Sequence, residues 1–537
     1  MSPESADVIV LGSGAAGLTA ALTAAVLGMQ VVVIEKGEKL GGTSAMSGAG
    51  TWIPANHHAH TMGIDDSIGE ALDYMRAAAP DGWRETEDPL WQSFLVAAPR
   101  MLELVEKESP TRFEILSEPD PMLEVAGARK RGRMLSTKPM RRDLVGRYAK
   151  HLRRSTQPHA LTYEEMIHAN FLHKPLQAYL RNGPKILWRK LHGIACQGTA
   201  LITGLLRGCL DHGCRIEFAA RAVELIQNES GAVVGVIVEK KGQRREFRAR
   251  RGVVIATGGF EWDRALFAEH FPGPVDFLCS PSTNEGDGLR MAVQAGAVTA
   301  HMDQANLAGA LPTWYEGRLH GVPLRFQADP HAIVVNQKGR RFGNECDFNF
   351  CETLVVRDPQ TQKPANLPAW VIADANFLRR TPPLRFFARH KPGWLIKAPT
   401  LTALAEKIGL PASALQETVA RYNAFCAKGR DEDFQRGEHK FERYWSGGQN
   451  VLGSIQKAPF VATPFNISTM GTKGGPRTNA DGQVLRADGS VIAGLYCAGN
   501  AMANPIGTRA VGAGTTIGPC MTWGYICAQS IATTNRD

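Results

Sequence analysis

The stretch Asp7–Gly50 reads DVIVLGSGAAGLTAALTAAVLGMQVVVIEKGEKLGGTSAMSGAG, and its first half decides the fold. Asp7–Leu11 is a short apolar run, long enough for a buried parallel strand. Gly12, Gly14 and Gly17 follow at once in the order G-x-G-x-x-G, with Ser13, Ala15 and Ala16 filling the turn. Leu18–Gly28 is rich in Ala and Leu, which favour helix. Gln30–Ile34 is a second, β-branched strand that ends on Glu35, with Lys36 behind it. Gly12 permits the turn out of the strand, Gly14 lets backbone N–H groups approach a pyrophosphate, and Gly17 lets helix and strand pack closely. The helix N-terminus adds partial positive charge, and Glu35 stands where an acid accepts hydrogen bonds from ribose hydroxyls. A glycine motif alone is weak evidence. Set within strand, turn, helix, strand and acid, it marks a dinucleotide site.

The second half of the stretch, LGGTSAMSGAG, continues into Thr51–Pro54. Small residues at this density indicate backbone running against a flat ligand. Gly42 and Gly48 would touch it, with Thr43, Ser44 and Ser47 as donors. Ser67–Leu116 has apolar residues at helical spacing, and Leu161–Leu191 is loosely helical with Pro175 and Pro184 as breaks. Gln197–His212 reads as a helix. Strands are expected at Cys214–Phe218, Ala222–Ile226, Ala232–Glu239, Arg245–Arg248 and Val253–Ile255. The last leads into Ala256-Thr257-Gly258-Gly259, placed beside the nucleotide. In Asn284-Glu-Gly-Asp-Gly288, Asp287 is read as a helix cap near the nucleotide. Residues 279–462 change texture, mixing strands, helices and aromatic-rich loops.

These features give an α/β protein. A discontinuous, Rossmann-like domain (1–278 and 463–537) carries the cofactor, and an inserted α+β domain (279–462) caps the substrate. Near the C-terminus Gly494–Asn500 is a strand ending in small residues, with Gly499 and Asn500 at the ligand. Pro505–Pro519 then opens a helix whose start brings Gly514, Thr515, Thr516 and Ile517 to an electron-rich ring such as a flavin.

The chain has 537 residues, 44% apolar and 21% charged, as in ordinary globular proteins. No run is long enough to span a bilayer, and the start lacks a secretory n-region, so a cytoplasmic location is expected. The ten cysteines show no metal or haem spacing, so no metal site is expected. The net charge of +9 concentrates in residues 129–154, where eleven Lys and Arg face one acid, Asp143. That segment reads as a solvated basic surface, with peripheral contact to anionic lipid as the alternative. No nucleic-acid reader motif accompanies it.

In order along the chain, GSGAAGLTAAL, LGGTSAMSGAGTWIP, ATGGFEWDR, NEGDG, VVNQKGRRFGNE, STMGTKGG, GLYCAGN and GAGTTIGPCMTWGY resemble the flavoproteins of the 3-ketosteroid dehydrogenase and fumarate reductase superfamily. FEWD, MGTKGG and TIGP pull toward the ketosteroid branch. The resemblance implies FAD, hydride transfer between a substrate C–H and the flavin, an apolar cyclic ketone as substrate and an external electron acceptor. Gly42 stands where covalent members carry a histidine, so FAD is expected to be held non-covalently.

The same resemblance exposes departures. The catalytic tyrosines of the ketosteroid enzymes fall on Ala510, on Asn349 and near Pro121 and Met122. Gly514 keeps the place of their ketone-binding amide. Arg509 falls where fumarate reductases grip a carboxylate, but their proton-delivering Arg falls on Asn349. The candidate catalytic set is therefore Gly514 as oxyanion donor, Arg509 as substrate ligand and Tyr315 as base. His57, His58 and His301 are lesser base candidates. α,β-Dehydrogenation of a cyclic ketone is the leading expectation. Reduction of an unsaturated acid through Arg509 is the alternative, and a flavin electron-transfer subunit is less favoured.

Overall fold

A computed structural model describes residues 4–534. The first apolar run forms the strand Glu4–Leu11, which pairs in parallel with Val31–Glu35 on one side and Gln243–Ile255 on the other. Arg215–Phe218 and Val491–Cys497 extend the parallel sheet outward on the two flanks. Strands bearing residues buried on both faces suit this central position. Gln483–Leu485 closes one edge as a hairpin partner of Val491–Cys497.

The two short strands expected at Arg245–Arg248 and Val253–Ile255 are one strand, Gln243–Ile255. Its first half pairs antiparallel with Val233–Lys240 and its last three residues pair with Leu495–Cys497. Arg248, Arg250 and Arg251 are exposed between these halves, and their polarity is what mimicked a break. The expected helix at Leu161–Leu191 divides as Tyr163–Ala169 and Pro175–Leu191. Pro175 starts the second helix and Pro184 lies inside it without ending it. Pro184 is exposed, so water can reach the carbonyl whose N–H partner the ring removes.

Helix Ala15–Val26 packs on helix Ile517–Thr533, which brings the two ends of the chain together. Gly524 makes this approach possible: a Cβ there would lie 2.2 Å from the Ala16 carbonyl oxygen. Around this sheet one hydrophobic core gathers residues such as Val10, Leu22, Val254, Leu495 and Trp523. A second gathers Phe277, Phe326, Phe350, Trp394 and Phe465, drawing on the chain from Phe260 to Ile467. There Ala332–Val335, Trp370–Ala373, Phe460–Pro464 and Ile396–Ala398 form an antiparallel sheet. The return strand Ile467–Thr472 pairs with Val275–Leu278 and Ala305–Leu307 at the junction of the two cores. Among the described residues no helix is long and apolar enough to cross a membrane.

Candidate active site

A cavity of about 1310 Å³ runs from the glycine turn to the junction of the two cores. Gly12, Ser13, Gly14, Ala15 and Ala16 line its start. Gly12 has φ +110°, and a Cβ on it would sit 2.3 Å from the Ala256 carbonyl oxygen. Gly17 does not line the cavity; it lies beneath, where a Cβ would meet the Gly12 oxygen at 2.0 Å, as close helix–strand packing requires. The Ala15 N–H donates to Ser44 Oγ at 3.0 Å. Among the described residues, the N–H groups of Gly14 and Ala16 have no protein acceptor, which leaves them free for phosphate oxygens.

Glu35 is buried, and its carboxylate accepts from Ser13 Oγ at 2.7 Å, Ser13 N–H at 3.1 Å and Gly37 N–H at 2.8 Å. These bonds fix it at the ribose end with acceptor capacity to spare. Beside it Lys36 pairs with Glu285 and Asp287, both at 2.8 Å, and Asp287 also pairs with Arg221 at 2.6 Å. Asp287 is not the helix cap expected from sequence: Gly286 holds that position, and Asp287 is the first helical residue. These cations hold its carboxyl below the usual range against the opposing effect of burial. Ala220 and Ala222, which the sequence did not single out, complete this end.

Thr43, Ser44, Ser47 and Gly48 continue the wall opposite Thr257, Gly258, Gly499 and Asn500. Asn284 donates to Thr43 Oγ1 at 3.0 Å. Thr257 Oγ1 is buried with no partner, a polar atom waiting for a ligand. At the far wall Gly514, Thr515, Thr516 and Ile517 present the start of the Ile517–Thr533 helix. Gly514 has φ +89°, its carbonyl accepts from Trp52 N–H at 3.2 Å, and its own N–H has no protein acceptor among the described residues. A turn at Gly12 that no Cβ can enter, unpaired N–H groups at two helix starts and an orphan hydroxyl all fit a bound dinucleotide. Gly42 offers no side chain for a covalent bond to it.

Of the catalytic candidates, only Gly514 stands in this cavity. Tyr315 lies outside it, in a hairpin bordering a second cavity, where its hydroxyl donates to the Arg154 carbonyl at 2.5 Å. Burial pushes its phenol up to about 12. Arg509 is absent from the wall and is held by Glu352 through two bonds of 3.0 Å. His57 and His58 share Glu106, and His301 meets Glu87 at 3.1 Å; none borders the cavity. Asn349 and Ala510, at the family's tyrosine positions, bond reciprocally: Ala510 N–H to Asn349 Oδ1 at 2.9 Å, and Asn349 Nδ2 to the Ala510 carbonyl at 3.1 Å.

The cavity supplies its own tyrosine. Tyr163 starts the helix Tyr163–Ala169, capped by the Thr162–Glu165 box, and its ring lies against Gly48, where a Cβ would come within 2.4 Å of it. Its exposed part faces the cavity. Behind it Glu118 is buried, and its Oε2 has no partner at hydrogen-bond distance. Burial pushes the Glu118 carboxyl up to about 7, opposed by the Tyr163 hydroxyl and then by Arg325. Burial, and next the Glu118 charge, raise the Tyr163 phenol, and Arg325 opposes this. His159, also in the wall, is held neutral by burial, which brings it down to about 4. Met46, Met134, Leu307, Leu324 and Phe348 give this end apolar walls. Nothing local in the sequence flags Tyr163 or Glu118, because contact through the fold joins them.

The chain matches the family described as FAD binding domain over residues 7–517. It is 38% identical to 4-oxocyclohexanecarboxylate 2-dehydrogenase of Sinomonas cyclohexanicum, covering 98% of this chain and 92% of that one. It is 34% identical to 3-oxosteroid 1-dehydrogenase of Mycolicibacterium smegmatis, over 99% and 98%. Among solved structures it resembles 3-ketosteroid delta1-dehydrogenase from Sterolibacterium denitrificans, with TM-score 0.87, 30% identity and coverage of 98% and 99%.

Proposed function

The chain belongs to the FAD binding domain family and is an FAD-dependent dehydrogenase acting on CH–CH bonds; from that premise we propose that it catalyses α,β-dehydrogenation of a cyclic ketone. One observation carries the reading: a free Gly514 N–H and a Tyr163 backed by Glu118 border the same apolar cavity as the dinucleotide cradle. FAD, when bound, supplies the acceptor for the hydride lost from the β-carbon.

The Gly514 N–H binds the ketone oxygen and stabilises the negative charge that develops on it as the α-proton leaves. The Tyr163 oxygen takes that proton and passes its own to Glu118. The buried carboxylate, brought near 7, is matched to proton acceptance at neutral pH. The Met and Leu walls exclude water from the developing enolate.

A specific observation favours a ring that also bears a carboxylate. Of the arginines in the cavity wall, Arg153 pairs with Glu316 at 2.5 Å and Arg380 with Asp329 at 3.3 Å. Arg325 has no acid partner among the described residues; it donates to the carbonyls of Cys346 and Asp347 and lies over the rings of Phe348 and Phe441. A substrate carboxylate would complete it, as the name of the Sinomonas relative's substrate suggests. Arg509, already engaged by Glu352, gives little support to the enoate-reductase alternative.

The test is product formation with an artificial electron acceptor from 4-oxocyclohexanecarboxylate, cyclohexanone and a 3-ketosteroid. Enone from at least one ketone is expected, fastest from the oxo acid. If no ketone is oxidised while the pre-reduced enzyme reduces an enoate, the proposal fails.

A further inference from the structure

A soluble protein's surface helix turns its apolar stripe inward and its charges outward. Helix Pro175–Leu191 turns its apolar residues outward instead, beside exposed cations. Leu176, Leu180 and Leu191 are 74%, 72% and 74% exposed, and Leu187, Tyr179 and Trp188 are exposed with them. The spacing from Leu176 to Leu180, and from Leu187 to Leu191, is one helical turn, so these leucines form one outward stripe. The buried side holds Ala178 and Arg189, the latter bonded to Glu165 and to the Ala160 carbonyl. The helix carries no acid. Arg181 and Lys190 flank the stripe without an acid partner among the described residues, and Lys185 reaches back to Glu165.

The stripe ends at a second cavity of about 920 Å³, to which Leu191 and His192 contribute. Its walls bring Lys39, Arg141, Arg142, Lys150 and Arg154 together. Of its two acids, Asp143 is paired with Arg141 and Glu316 with Arg153. The basic 129–154 segment is therefore continuous with the helix, through pairing of Met140–Arg141 with Ile194–Ala195.

We propose that this face seats the protein on an anionic lipid bilayer, with the leucine stripe in the acyl boundary and the basic cavity over headgroup phosphates. Exposed leucines and a tryptophan on one face, with cations flanking them, are the composition of a helix lying in a membrane interface. A second protein copy would bring the same cations against themselves, whereas an anionic surface neutralises them. Residues Asn170–Lys174, which line the main cavity, lead directly into this helix, and Phe171 contacts Tyr179 with ring centroids 5.0 Å apart. The catalytic cavity would thus border the lipid surface.

The test uses the full, FAD-loaded protein in flotation with phosphatidylcholine vesicles, with and without phosphatidylglycerol. Binding is expected with phosphatidylglycerol, weakening as salt rises. The variant Leu176→Ser/Leu180→Ser/Leu187→Ser/Leu191→Ser should keep its flavin content and lose on the order of a hundredfold in partition constant. Arg181→Glu/Lys190→Glu should lose the preference for anionic vesicles. No binding by the native protein, or undiminished binding by the serine variant, overturns the proposal. So does a native dimer in sedimentation that the serine changes dissociate, which would identify a second copy as the occupant.

Discussion

Replacing Gly514 with alanine tests both the backbone and the chemistry. At φ +89° an L-residue is strained, and the added Cβ would lie 2.6 Å from Gly50 C and Thr51 N, and 2.7 Å from Gly50 O. All three are backbone atoms, so no flexible side chain can give way. Left-handed strain costs about 1–2 kcal/mol, and overpacking a rigid wall costs roughly 1–3 kcal/mol more. Displacing the N–H from the ketone removes a donor of the oxyanion type, worth about 3–4 kcal/mol or roughly 10²–10³ in kcat. Gly514→Ala should therefore unfold at a lower temperature than the native protein. The fraction that retains FAD should turn over ketone at least a hundredfold more slowly. The assay is kcat per bound flavin, with an artificial acceptor, beside a thermal melt. A variant that keeps its flavin and turns over within about tenfold of the native enzyme would refute the oxyanion role, which requires a loss of roughly a hundredfold or more.

Tyr163→Phe keeps the ring against Gly48 but removes the proton path, so kcat should fall by roughly 10²–10⁴ while flavin content stays constant. Glu118 must be unprotonated to accept the proton, and burial raises its carboxyl to about 7. Activity should thus fall about tenfold per pH unit below that value, and Glu118→Gln should remove this acid limb along with most of the rate. Arg509→Ala should leave KM for cyclic ketones within about twofold. It should cost at most about 1 kcal/mol of stability in a melt, because its ion pair with Glu352 is 37% and 28% exposed. A large rise in KM would return it to the substrate. Gly524→Val should prevent helix Ile517–Thr533 from seating on Ala15–Val26 and lower flavin retention on gel filtration, since even a Cβ would approach Ala16 O to 2.2 Å.

The cofactor half of the site was legible because its signals are local. A strand, three glycines, a helix and an acid lie within a few turns of chain, and Gly12 and Gly17 each report a contact too close for a side chain. The substrate half was not, because its groups converge only through the fold. Tyr163 reaches the wall from a short helix and Glu118 from a separate loop. Tyr315 sits in a strand, Ala310–Tyr315, whose hydroxyl is already bonded to the backbone of the basic segment. Arg509 looked free until the fold brought Glu352 to it. The same limit applies to Pro175–Leu191: periodicity shows a stripe of leucines but not which way it faces. Arg250 and Arg251 made one long strand look like two, because outward charges interrupt an apolar run without interrupting the backbone ladder.

The proposed dehydrogenation needs one cavity to join the Gly514 amide and the Tyr163 base to the bound FAD. Its most direct test is an anaerobic single turnover of the FAD-loaded enzyme with a saturated cyclic ketone, following flavin absorbance and enone together. Flavin bleaching at the rate of enone formation is expected, one enone per flavin, with both lost in Tyr163→Phe. Bleaching without enone, or undiminished bleaching in Tyr163→Phe, would contradict the proposal.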